Sequence, residues 1–166
     1  MKKLKLTRWF SSIPLYCSTL TFEMYVVGGS MQPLLKDGDR VTVQRVDTYY
    51  PGDIVVFCHD RGLTVHRLLW QTKDRITCKG DSNLFCEVIS TEDILGKVIL
   101  IQSGDAHFSP AYGPLLAVLS YNKILIYKAH MEDKLSTRRD PAYVEIQHFL
   151  HGLRRNLIKN SSRVEQ

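Results

Sequence analysis

Four Gly-Asp turns punctuate the chain between residues 24 and 105: Asp37-Gly38-Asp39, Pro51-Gly52-Asp53, Lys79-Gly80-Asp81 and Ser103-Gly104-Asp105. The segments between them are short and rich in Val, Ile, Thr and aromatics, which suit a pleated, half-buried backbone. They predict strands at 24–27, 40–46, 54–58, 63–70, 75–79 and 96–102. Many short strands separated by such turns favour a small barrel or a pair of coiled antiparallel sheets. The recurrence of Gly-Asp is turn chemistry rather than an internal repeat.

After Gly113-Pro114 the pattern changes. Residues 115–128 and 141–159 predict helices. In the second, Val144, Ile146, Phe149, Leu150, Leu153, Leu157 and Ile158 form an approximate apolar stripe. Pro141 suits a first helical turn and Asp140 a cap. Residues 132–140 read as a polar loop, and the tail from Asn160 as frayed. The expected organisation is an N-terminal segment (1–23), a mainly β domain (24–105) and a C-terminal helical extension (106–166).

The 166 residues allow one domain with a real core and a small appendage. The net charge of +5 is uneven. Residues 1–29 carry four Lys/Arg against one Glu (+3), 30–105 nine against eleven acids (−2), and 106–166 nine against five (+4). Basic ends around a mildly acidic body fit a solvated surface, an acidic partner or a peripheral membrane contact. Arg138-Arg139 and Arg154-Arg155 with Lys159 make a basic C-terminal region that reads as a solvated helix face, with a membrane-surface or acidic-leader contact as the alternative. No stacking set or recognition motif accompanies the charge, so nucleic acid is not expected. Cys17, Cys58, Cys78 and Cys86 make no C-x-x-C pair and read as reduced thiols of a cytoplasmic chain. Met1-Lys2-Lys3-Leu4-Lys5 resembles the start of a secretory signal, but Ser11, Ser12, Pro14, Ser18, Thr19 and Glu23 break the apolar stretch that should follow. Neither that stretch nor 115–127 supplies the ~20 mostly apolar residues of a spanning helix.

The chemistry gathers at Val27-Gly28-Gly29-Ser30-Met31-Gln32-Pro33 and Val65-His66-Arg67. A serine hydroxyl is a weak nucleophile until a nearby base takes its proton. Gly28 and Gly29 allow a sharp turn and close approach of a substrate chain, and Pro33 stiffens the exit. His66 lies in an alternating strand, where a lone histidine is most often structural. Lys79-Gly80-Asp81-Ser82-Asn83 changes that balance, because Asp81 can stand beside the imidazole and favour its protonated form. Lys79 is a second base candidate. His148 and His151 share a helix face, but no Cys or carboxylate completes a metal set, so no metal is expected. His59 and Asp60 fall in a hairpin turn and read as solvated, and His107 and His130 carry no readable signal.

The order of these boxes, extended by Asp37-Gly38-Asp39-x-Val41, Pro51-Gly52-Asp53-Ile54-Val55-Val56-Phe57 and Ile94-Leu95-Gly96-Lys97-Val98, resembles the type I signal peptidases and the self-cleaving domains of SOS-type repressors. The resemblance covers residues 24–102. It implies a β-rich fold, a nucleophile at Ser30 and cleavage of a peptide bound as an extended strand. Most bacterial members carry Lys where this chain has His66, and His resembles the Ser-His version of endoplasmic-reticulum and archaeal signal peptidases. Gly28 stands where a Ser often assists the oxyanion, which leaves that role to backbone N–H groups including that of Ser30. Neither a membrane anchor, a DNA-binding domain nor an Ala-Gly self-cleavage site is recognisable, so the chain looks like the small anchorless members.

The expected activity is therefore a serine endopeptidase acting on a leader, signal or precursor peptide. Ser30 is the nucleophile, His66 the base, Asp81 the orienting carboxylate, and Gly28, Gly29, Met31 and Pro33 line the substrate. No cofactor is expected. The alternatives are a non-catalytic peptide-binding module and a self-processing, repressor-like regulator.

Overall fold

The structure, a computed structural model, describes residues 20–59, 62–110, 113, 115–122 and 141–161. Its frame is a sheet of eight strands: β1 (Thr21–Tyr25), β2 (Arg40–Gln44), β3 (Ile54–His59), β4 (Gly62–Gln71), β5 (Arg75–Lys79), β6 (Glu87–Ser90), β7 (Ile94–Ser103) and β8 (Ala106–Phe108). The spatial order is β1-β2-β7-β3-β4-β5-β6, with β8 also paired to β7, and every pairing is antiparallel. Register shifts fall at Thr42/Val43, Val56/Phe57 and Leu68/Trp70. Such bulges bend a strand and increase its twist, which coils the sheet.

Coiling lets the central strands bury both faces. On β3, Ile54 and Val56 enter one apolar cluster while Val55 and Phe57 enter the other. The first cluster also takes Met31, Leu34 and Leu35 from the loop between β1 and β2. The second holds Leu68, Ile76, Cys78 and Ile89 on the opposite face. Full burial of an aliphatic or aromatic side chain stabilises by about 1.5–3 kcal/mol, so β3 and its neighbours form the rigid centre.

All six expected strands are present. Two strands were not expected, β6 and β8, each four residues or fewer. The sheet begins at Thr21, inside the segment set apart as 1–23, and runs to Phe108, past the expected boundary at 105. A 3-10 turn (Thr91–Asp93), capped by the Ser90 side chain, turns β6 into β7. Helix α1 covers 115–122 and helix α2 is Pro141–Ser161. The expected continuation of α1 to 128 and the loop at 132–140 lie outside the described residues.

Helix α2 departs from its expected face. Leu150 is buried, and Leu157 and Ile158 pack on the first cluster, but Phe149 stays half exposed. Between them Arg154 is buried, where the sequence read a solvated basic face.

Candidate active site

Ser30 sits on a loop that closes on itself. Val26 N–H donates to Asp39 O at 2.8 Å and Gly38 N–H donates to Val26 O at 2.9 Å, forming the neck. Gly28 adopts φ +88°, a region that L side chains disfavour, and its N–H donates to Asp37 Oδ1 at 2.7 Å. The turn itself is closed by Gln32 N–H donating to Gly29 O at 3.1 Å, with Ser30 inside it. Met31, Pro33, Leu34 and Leu35 are buried, so the loop is filled by its own side chains. The Gln32–Pro33 peptide is cis.

A second turn, residues 80–83, holds the Ser30 turn from outside. Ser82 N–H donates to Ser30 O at 2.8 Å. The Ser82 hydroxyl lies 2.6 Å from Gly29 O and 2.9 Å from Ser30 O, so one proton serves two carbonyls. The two backbones touch: a Cβ on Gly80 would stand 2.6 Å from Ser30 O. Glycine is required at 80 for this close approach.

His66 is on β4 and is 3% exposed. Its Nδ1 lies 3.1 Å from Glu87 Oε2, at the start of β6. A carboxylate only accepts, so Nδ1 carries the ring proton and Nε2 presents its lone pair. The ring meets Phe57 edge-on at 6.0 Å between centroids. Burial pulls the His66 pKa below the ordinary histidine value; Glu87 and then Asp81 oppose that shift, and Lys79 reinforces it. This net direction is opposite to the rise expected from a neighbouring Asp81.

Asp81 has a different principal partner from the one expected. Both its oxygens accept from Arg67, Oδ1 from Nε at 2.9 Å and Oδ2 from Nη2 at 2.7 Å. Arg67 Nη1 also donates to Gly52 O at 2.8 Å. Both ionic side chains are 1% exposed. Asp81 therefore holds Arg67, the residue after His66, and the imidazole is held by Glu87. Alternation explains it, because adjacent residues of β4 point to opposite faces. His66 shares its face with Leu68, and Arg67 pairs across the strands with Lys79. Lys79 is fully buried, with Nζ 2.9 Å from Gly80 O and 3.2 Å from Ser120 Oγ on α1.

The structure thus brings Ser30 against residues 80–82 and His66 against Glu87. Among the described residues no hydrogen bond joins Ser30 Oγ to His66. Gly28 and Gly29 are exposed beside Ser30, as a substrate contact requires. Met31, 2% exposed, and the buried Pro33 do not offer the substrate surface expected of them; they anchor the loop. Glu87 and Ser82 were missed. The spacing from Gly80 to Glu87 gave no signal, because β6 itself was not recognised and the β5–β6 connection was unknown.

Elsewhere, no group of His, Cys, Asp and Glu among the described residues could hold a metal ion. Burial pushes the Cys78 thiol up, out of the range of a reactive thiolate. No described helix is long and apolar enough to cross a membrane. His148 and His151 are exposed on α2, His107 is exposed on β8, and His59 ends β3; Asp60 and His130 lie outside the described residues.

No curated protein matches the chain significantly. A family model described as peptidase S24-like matches residues 7–99, more than half of the 166. That span contains the Ser30 loop, β4 with His66, the 80–83 turn and Glu87. The signal-peptidase and SOS-repressor superfamily indicated by the order of the boxes is therefore the right one, and with a coiled, mainly antiparallel sheet around a glycine-flanked serine, the chain belongs to the peptidase S24-like family.

Proposed function

We propose that the chain is a serine endopeptidase that cleaves a leader, signal or precursor peptide bound in extended form, by a Ser-His mechanism. The observation that carries this reading is the His66–Glu87 contact, which fixes the tautomer that leaves Nε2 able to accept a proton. In the reaction, Ser30 Oγ attacks the scissile carbonyl and its proton passes to His66 Nε2. Glu87 orients the ring and stabilises the imidazolium. Backbone N–H groups of the turn, that of Ser30 among them, receive the oxyanion. The imidazolium then protonates the leaving amine, and water releases the acyl group by the same steps in reverse order. Ser30 Oγ reaches Nε2 when substrate is bound, since catalytic hydrogen bonds often tighten only in that complex. No cofactor or nucleic acid enters this scheme.

The test is a fluorophosphonate probe together with a library of extended peptides. Wild type should label at Ser30 and cleave; Ser30→Ala should do neither while keeping its fold. Peptide binding without labelling would instead establish a non-catalytic module. A mass loss of the intact chain on long incubation, absent in Ser30→Ala, would establish a self-processing regulator.

A further inference from the structure

We infer that Arg154 is a positioning residue for the Ser30 loop, which makes helix α2 part of the peptidase. This rests on Ser30 being the nucleophile. Arg154 reaches back 115 residues to Asp39, with Nη1 donating to Oδ2 at 3.0 Å and Nη2 to Oδ1 at 3.2 Å. Nη1 also donates to Leu34 O, and Nη2 donates to Ser103 Oγ at 2.7 Å. The guanidinium stands over the Phe108 ring, 5.7 Å from its centroid. The side chain is 5% exposed and so is that of Asp39.

The contacts fall on the loop at two structural points. Asp39 is the neck residue, and its Oδ2 also accepts from Lys36 N–H at 2.8 Å. Leu34 is on the buried arm, three residues after Met31 and four after Ser30. One planar cation therefore ties the neck to the buried arm, a geometry that a fork of several N–H donors can satisfy and a single ammonium cannot. Leu157, one turn further along α2, seats the helix on the same apolar cluster as Met31, Leu34 and Leu35. Without Arg154, the Leu34 carbonyl and the Asp39 carboxylate lose their common partner, and the loop gains freedom to shift Ser30. Misplacement of a reacting group by about 1 Å lowers rate by about a hundredfold.

The experiment compares Arg154→Met and Arg154→Lys with wild type, at a temperature where circular dichroism shows all three folded. Hydrogen exchange is read at the amides of Val26, Gly28, Lys36 and Gly38, with β3 and β4 amides as the internal control. Labelling of Ser30 by the fluorophosphonate and peptide kcat and KM are read in parallel. In Arg154→Met, loop exchange should rise about tenfold or more with the control unchanged. Labelling rate and kcat should fall about tenfold or more while KM stays within about threefold. Arg154→Lys should lie between. Unchanged loop exchange in Arg154→Met, or an equal rise in the control strands, overturns the inference, as does wild-type labelling per folded molecule. The exchange readout decides the tether even where wild type neither labels nor cleaves, an outcome that removes the peptidase reading and with it the positioning role.

Discussion

Two buried arginine–aspartate pairs support the two halves of the site, and their difference is instructive. Arg67–Asp81 lies within the β4–β5 region beside His66, and Arg154–Asp39 joins helix α2 to the Ser30 loop. Both are bidentate, and each arginine also donates to a main-chain carbonyl, Gly52 or Leu34. The bonding is alike, but the setting is not. Arg67 stands on a central strand, paired with β3 and β5. Arg154 arrives from a helix that contacts the body along one side. The first pair closes a sheet, and the second attaches an element to it. A buried pair of this kind adds little net stability over an apolar replacement of both partners, yet removing one partner strands the other charge.

The largest effect should therefore come from Arg67→Met, which takes from the buried Asp81 carboxylate its bidentate partner. We expect a loss of about 3–5 kcal/mol in urea unfolding. Arg154→Met should cost less globally, because α2 can separate locally and return Asp39 to water. Equal losses for the two would show that α2 unfolds only with the sheet and would remove the distinction drawn here.

The same contrast explains what could be read from the sequence. Arg67 and Asp81 both lie in boxes quoted for the resemblance, and the strands that carry them are short, β-rich and bounded by Gly-Asp turns. The sheet and the candidate Ser30 and His66 were legible for that reason. The pairing within the boxes was not: Asp81 was assigned to His66, because sequence alone does not say which face of β4 a later turn will meet. Glu87 was hidden because Glu87-Val88-Ile89-Ser90 is too short to signal a strand. Arg154 was read as solvated because a charge next to Arg155, on a helix, has no local reason to be buried. Its reason is Asp39, which only the tertiary fold supplies. The turn aspartates Asp39, Asp53 and Asp81 are all buried, so these Gly-Asp turns also carry anchors.

The seam between the halves is Gly80. Gly80→Ala places a Cβ 2.6 Å from Ser30 O, a backbone atom, with the Asn83 side-chain amide 2.9 Å away. We expect a cost of about 1–3 kcal/mol from the forced shift. Peptide cleavage should fall by more than Arg154→Met produces, because the displaced atom belongs to Ser30 itself. Wild-type cleavage in Gly80→Ala would mean that the two halves need not touch.

The His66 half can be probed by pH. Burial holds the His66 pKa below the ordinary ~6.5, so the acid limb of kcat/KM should lie below that value. Glu87→Gln removes the largest influence opposing the shift and should move the limb further down, with lower activity. Lys79→Met removes a lowering influence and should move it up. The stability sign follows: a depressed folded-state pKa means the unfolded chain binds the proton first, so stability is lost as pH falls below ~6.5. That loss should shrink in His66→Gln. Arg154→Met should leave the limb in place, since its contacts are with the Ser30 loop. A limb that moves with Arg154→Met would show that the halves titrate as one unit.

Ser82→Ala is the mildest way to loosen the seam. The Ser82 N–H bond to Ser30 O survives, and only the hydroxyl contacts to Gly29 O and Ser30 O are lost. Ser82 is half-buried, so water can replace the hydroxyl at the two carbonyls. The stability cost should be about 0.5–1.5 kcal/mol, the net worth of one hydrogen bond. The consequence for activity depends on which half fixes the turn. If Arg154 holds the loop firmly from behind, kcat should fall only about threefold and the double variant Ser82→Ala/Arg154→Met should lose more than the product of the single losses. A strictly multiplicative double variant would mean that the two supports act on Ser30 independently, and that the loop behaves as two separate arms rather than one body.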